Sequence, residues 1–90
     1  MNFGQAVEDL KAGKLVQRAG WNGKGMHLYL EDQLSYTIGA GIYKGERREY
    51  QPCIVMFTAQ QQQHQPGWLA SQADILAEDW QVIDPHAPTA

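Results

Sequence analysis

The sequence predicts a small α+β domain built on a mainly antiparallel sheet. Three observations point that way. Phe3, Ala6, Val7 and Leu10 recur at helical spacing near the start. Met26, Leu28 and Leu30 alternate with His27, Tyr29 and Glu31, while Cys53 to Thr58 is a β-branched and aromatic run, so both read as strands. Ser71 and Asp74 open a second helical stretch, after which Trp80 to Ile83 alternates again.

The first helix is expected from Phe3 to Ala12. Asn2 can cap it, with Gln5 in the reciprocal capping-box position, and Gly13 follows its last turn. Leu15 to Ala19 reads as a strand, broken by Gly20-Trp21-Asn22-Gly23-Lys24-Gly25. Asn22-Gly23 is a strong hairpin signal because both residues tolerate positive φ. The strand from Met26 follows, one face apolar and the other polar-aromatic, so the second face can meet a ligand or another subunit. Residues 31–51 read as a loop around a short aromatic strand near Ile42 and Tyr43, and Pro52 marks a strand edge. After Cys53 to Thr58, the tract Gln60 to Gln65 is expected to be a solvated hairpin tip ending at Pro66-Gly67. A short helix from Gln72 to Glu78 carries the stripe Ala73, Leu76, Ala77 and Trp80. The domain is expected to span residues 1–84, with residues 85–90 as a disordered tail.

Composition narrows the function. Ninety residues leave no room for two cores, and a chain of this size buries only about 60–65% of its unfolded surface, so assembly is a plausible supplement. Seven Lys and Arg against ten Asp and Glu give a net charge of −3, which argues against a binder of DNA or RNA polymers. A small phosphate ligand held by a few local donors is compatible with that charge. The lone Cys53 rules out an intrachain disulfide and a Cys-rich zinc site, and reads as a core thiol. The acidic, amphipathic start is not a secretion signal and no apolar run is long enough to span a bilayer, so a soluble cytoplasmic protein is expected. Neither a metal nor a cofactor is expected: His27, His64 and His86 lie in separate segments without ligand spacing.

Two segments invite a binding reading. Successive backbone N–H groups around Asn22, Gly23 and Lys24 can form a concave anion site, with Arg18 and Lys24 adding charge. The plainer reading is a hairpin turn with a solvated lysine, which the Asn22-Gly23 pair favours. Trp21 at that turn and Trp68 beside Pro66-Gly67 both sit at element boundaries, where an indole needs a cover. They suit either a flat clamp for a nucleobase, worth about 1–3 kcal/mol per stacked ring, or a subunit interface. Trp80 reads as core. Asp74, Glu78 and Asp79 cluster, but Asp74 is explained as a helix-start residue and Glu78 as a solvated face, so nothing points positively to catalysis.

Three stretches together resemble a known family. They are Met1-Asn2-Phe3-Gly4-Gln5-Ala6 with Leu10-Lys11-Ala12-Gly13, Arg18-Ala19-Gly20-Trp21-Asn22-Gly23-Lys24-Gly25-Met26, and Trp68-Leu69-Ala70-Ser71-Gln72-Ala73-Asp74-Ile75-Leu76-Ala77-Glu78-Asp79-Trp80. These resemble the phage-encoded Thoeris anti-defence two family. The resemblance implies a non-catalytic sponge that binds glycocyclic ADP-ribose, the signal of Thoeris immunity, and sequesters it uncleaved. It also implies a homotetramer with pockets recessed between protomers, acting in the cytoplasm of the infected host cell. Some relatives take up cyclic oligonucleotides of another immune system at a separate site, a partner class that stays open for this chain. On that reading Trp21 and Trp68 stack the adenine, and Arg18 with the amides around Asn22, Gly23 and Lys24 takes the phosphates. Asn22, Ser71 and Asp74 meet ribose hydroxyls, and Phe3 closes the apolar wall. The other classes are an enzyme degrading the signal, with Asp74 or Glu78 as base, and a pure protein–protein inhibitor anchored by its tryptophans.

Overall fold

A computed structural model of the chain describes residues 1–21, 25–32, 35–37, 39–58 and 61–83. Helix α1 spans Phe3–Lys11, followed by strands β1 (Leu15–Arg18) and β2 (His27–Glu31). A ribbon of β3 (Ser35–Thr37) and β4 (Arg47–Glu49) comes next, then β5 (Cys53–Thr58) and β6 (Gln63–Pro66). Helix α2 (Gln72–Leu76) and β7 (Trp80–Ile83) close the described chain. The main sheet has five strands in the order β6-β5-β2-β1-β7, every pair antiparallel, so the fold is α+β.

Helix α1 forms where the sequence places it. The Asn2 side chain accepts from the Gln5 N–H at 2.9 Å, and the Asn2 N–H donates to Gln5 Oε1 at 2.9 Å, closing the capping box. The helix lays Ala6 and Leu10 on the sheet, where they meet Val16, Leu28, Met56 and Trp80 in one buried cluster. Leu28 and Met56 are cross-strand partners, as are Val16 and Leu28, so these side chains share the helix-covered face. The opposite face of β2, β5 and β6 carries the rings of His27, Tyr29, Phe57 and His64 in mutual contact, and Tyr29 Oη bonds His64 Nδ1 at 2.8 Å. This is the polar-aromatic face anticipated for β2.

Four expectations are corrected. Ile42 and Tyr43 do not form a strand; they lie in the turn between β3 and β4. Gly41 and Gly45, at φ 87° and 88°, let the chain fold back there, with Lys44 N–H donating to the Gly41 carbonyl at 3.1 Å. The glutamine tract is not all tip, because Gln63 to Gln65 pair with β5 as an edge strand. A ladder of backbone bonds with Met56, Phe57 and Thr58 outweighs the low strand preference of glutamine. Helix α2 ends at Leu76, and of its expected stripe only Ala77 and Trp80, both beyond the helix, pack in or on the core. Ala73 is exposed and Leu76 is 75% exposed, whereas Trp80 is buried as the first residue of β7. Five residues are too few for a periodic stripe to set the packing. Finally, Cys53 is half-buried at the start of β5, opposite Glu31, and is not part of the buried cluster. The hairpin turn predicted at Asn22-Gly23 and the tail predicted at 85–90 lie outside the described residues.

Candidate ligand-binding site

Trp80 is the floor of an aromatic cluster. It is only 2% exposed, and its Nε1–H donates to the Asp74 carbonyl at 2.9 Å, which satisfies the one polar atom of the indole. Its register partner is Arg18 on β1, so both side chains are on the helix-covered face of the sheet. Around Trp80 stand Phe3 from α1 at 5.5 Å between ring centroids, Trp21 from the turn after β1 at 5.4 Å, and Trp68 from the segment after β6 at 6.3 Å. Trp21 and Trp68 also touch each other, at 6.3 Å and 66°. Each such tilted or edge-to-face contact is worth about 0.5–1.5 kcal/mol beyond the area it buries.

The burial gradient gives the cluster its chemistry. Trp80 is buried, whereas Trp21, Trp68 and Phe3 are half-buried. Rings fixed from below and partly open above can accept a planar ligand without being ordered first. The geometry differs from two parallel jaws, however. At 66° the indoles of Trp21 and Trp68 meet edge against face, so a base can stack on an outer face of the pair but not between them.

Beside the rings lies a charged network. Arg18 donates from Nε to Asp79 Oδ1 at 2.9 Å and from a terminal nitrogen to Asp74 Oδ1 at 2.9 Å. Asp79 Oδ2 accepts the Gly20 N–H at 2.9 Å, and the Asp79 carbonyl accepts the Ala19 N–H at 3.0 Å. Asp74 Oδ2 accepts from both the N–H and the hydroxyl of Ser71, while the Asp74 N–H donates to Ser71 Oγ at 3.1 Å. This is the α2 capping box that the sequence announced. The hydrogen bond from Arg18 is the chief cause holding the Asp79 carboxyl below the ordinary carboxylate range, with the Gly20 N–H adding to it and desolvation opposing. For Asp74, burial works upward, but the Ser71 and Arg18 hydrogen bonds together outweigh it and the net shift is downward. Arg18 is raised in turn by its bonds to Asp79 and then Asp74.

The fold therefore gathers the expected residues into two sets. Phe3, Trp21 and Trp68 share the aromatic cluster, and Arg18, Ser71 and Asp74 share the charged network. Asn22, Gly23 and Lys24 lie outside the described residues, immediately after Trp21. Two of the five N–H donors of Arg18 are directed at carboxylates and the Ser71 hydroxyl at its own cap, so within one chain these bonds serve the fold. Sequence reasoning left Asp79 without a role and took Trp80 only as core. The pairing of β1 with β7 places both beside Arg18, and no local pattern announces a pairing across that separation.

Among the described residues no group of three or more His, Cys, Asp and Glu could hold a metal ion. His27 and His64 lie on the opposite face of the sheet from the indoles. A family model for the Thoeris anti-defense 2-like domain matches residues 1–83. The chain belongs to that family. A relative named Thoeris anti-defense 2, from Bacillus phage SP01, is 42% identical over 87 residues, covering 92% of this chain and 94% of its own length. The matched span of this Thoeris anti-defence domain includes every residue of the aromatic cluster and of the charged network. No described helix is long and apolar enough to cross a membrane.

Proposed function

We propose that this Thoeris anti-defence protein is a phage-encoded sponge. It captures glycocyclic ADP-ribose, the Thoeris signal, in the cytoplasm of the infected cell and holds it uncleaved. The observation that carries the reading is the half-buried indole pair, Trp21 and Trp68, braced on the buried Trp80. Adenine stacks on an outer face of that pair, and Phe3 extends the apolar wall. Backbone N–H groups around Asn22, Gly23 and Lys24 take the phosphates, and Asn22, Ser71 and Asp74 meet the riboses. Arg18 reaches a phosphate only by sharing its guanidinium with Asp74 and Asp79. A sponge acts by stoichiometry, so it must bind below the signalling concentration; nanomolar affinity corresponds to about 12 kcal/mol.

Two observations favour capture over cleavage. Glu78, one of the two bases an enzyme would use, is exposed; Asp74, the other, and its neighbour Asp79 are both held below the ordinary carboxylate range, which makes them weak bases. Each also has its carboxylate oxygens engaged by donors. The protein acts as a homotetramer in this reading, with the indole shelf of each copy deepened into a pocket by a neighbour. The exposed apolar residue Leu69, 89% exposed and next to Trp68 in sequence, supports a neighbour there.

The test is release by heat. The protein is incubated with glycocyclic ADP-ribose, and separately with a panel of cyclic oligonucleotides, then denatured, and the supernatant is analysed. Intact ligand returned in stoichiometric amount is expected. A new product would make the protein an enzyme, and no depletion before heating would leave a protein–protein inhibitor. Trp21→Ala and Trp68→Ala are each expected to abolish uptake while the chain stays folded; wild-type affinity in both would refute the stacking role.

A further inference from the structure

We propose that Asp79 is the positioning residue of the site: its carboxylate, bridged through Arg18 to Asp74, sets the angle at which Trp21 stands on Trp80 and Trp68. The assignment rests on the functional reading above but is argued from separate geometry. Trp21 is in the turn that follows β1, and its N–H donates to the Arg18 carbonyl at 3.2 Å. The two residues between them are both held by Asp79. Its backbone carbonyl takes the Ala19 N–H at 3.0 Å, and its Oδ2 takes the Gly20 N–H at 2.9 Å. One residue thus fixes two successive amides of the segment that delivers the indole.

The other half of the bridge reaches Trp80. Asp79 Oδ1 and Asp74 Oδ1 share the Arg18 guanidinium, whose rigid fork suits two carboxylates at once. Asp74 is the third residue of α2, closes its capping box and supplies the carbonyl that holds the Trp80 Nε1–H. Trp68 is set independently, its N–H donating to the Ile54 carbonyl of β5 at 2.9 Å. The angle between Trp21 and its two neighbours is therefore decided by the Asp79 side of the network. Gly20 fits this assignment, because a Cβ there would meet Asp79 Oδ2 at 3.1 Å, tighter than ordinary contact. A side chain at position 20 would push the Asp79 carboxylate back by a few tenths of an ångström.

Asp79→Asn keeps the shape and removes the charge, and its single amide oxygen can accept from Arg18 or from the Gly20 N–H but not from both. Two readouts are taken on Asp79→Asn, on Gly20→Ala and on the wild type. The first needs no ligand: near-ultraviolet circular dichroism, which reports the relative orientation of indoles in contact, with far-ultraviolet dichroism as the check on folding. The second is affinity for two probes, glycocyclic ADP-ribose and adenosine, the latter free of phosphate. Both variants are expected to keep the far-ultraviolet spectrum, lose the wild-type near-ultraviolet signal, and bind both probes weaker by the same factor, about tenfold. Weakening confined to glycocyclic ADP-ribose would overturn the proposal, because Asp79 would then act through an Arg18–phosphate contact. An unchanged near-ultraviolet signal in folded variants would overturn it too. If Asp79→Asn fails to fold, Gly20→Ala decides. If the wild type takes up neither probe, the sponge reading fails, and the ligand-free spectra alone decide whether Asp79 orients Trp21.

Discussion

At the scale of single residues, the tryptophans divide by what holds them. Trp80 has its ring buried and its N–H bonded to the Asp74 carbonyl, so it belongs to the fold. Trp80→Ala would remove the floor beneath Phe3, Trp21 and Trp68, and a truncation of that kind costs about 3–5 kcal/mol. Urea unfolding of Trp80→Ala is expected to show a loss of that size, far larger than for Trp21→Ala or Trp68→Ala. Equal losses at all three positions would make all three core residues alike. The residue types themselves were readable from the sequence: boundary positions singled out Trp21 and Trp68. Their edge-on meeting was not, because the interplanar angle depends on two segments far apart in the chain.

Among the elements, α2 is the informative case. Its capping box was legible because Ser71 and Asp74 are three residues apart, and a local hydrogen bond needs only local sequence. Its stripe misled because no residue of so short a helix is buried. What secures α2 is polar: the cap, the Arg18 bridge and the bond from Trp80. Ser71→Ala is therefore expected to lower stability by about 0.5–2 kcal/mol, read as a shift of the urea midpoint.

The same network gives an acid limb. Asp74 and Asp79 both titrate below their ordinary value of 3.8 in the folded chain, so on the acid side the unfolded chain binds more protons. The stabilisation is complete above the unfolded value and is lost as pH falls through the lower folded values. Urea midpoints should accordingly drop as pH falls below about 4, and the drop should be shallower in Asp79→Asn. An identical limb in that variant would show that the carboxylate contributes nothing to it.

Taken as a whole, the molecule is a five-stranded sheet with both helices to one side and a ribbon that stands apart. Among the described residues, β3 and β4 pair with each other but do not pack substantially on any other element. Two paired strands alone are marginal in water. The Arg48 guanidinium, 4.0 Å above the Tyr43 ring, gives the ribbon some internal support, yet Ile42 at its turn is 91% exposed. A second copy covering this turn would account for both facts. Ile42→Asp is expected to reduce the assembled mass seen by light scattering without unfolding the chain. Full assembly in that variant would remove the ribbon from the interface.

From the residue order alone came the helix at Phe3, its cap, the strands at Cys53 and Trp80, the α2 cap and the family resemblance. All of these depend on contacts between near neighbours in the chain or on strings of adjacent residues. Only the folded chain put Asp79 beside Gly20, turned Trp21 on edge against Trp68, and directed Arg18 to two carboxylates instead of to solvent. The first and last follow from the antiparallel pairing of β1 with β7, and the second needs Trp68 to be held on β5 as well. Pairing between distant strands is set by the burial of one whole face at once, a sum over many side chains that no single segment encodes.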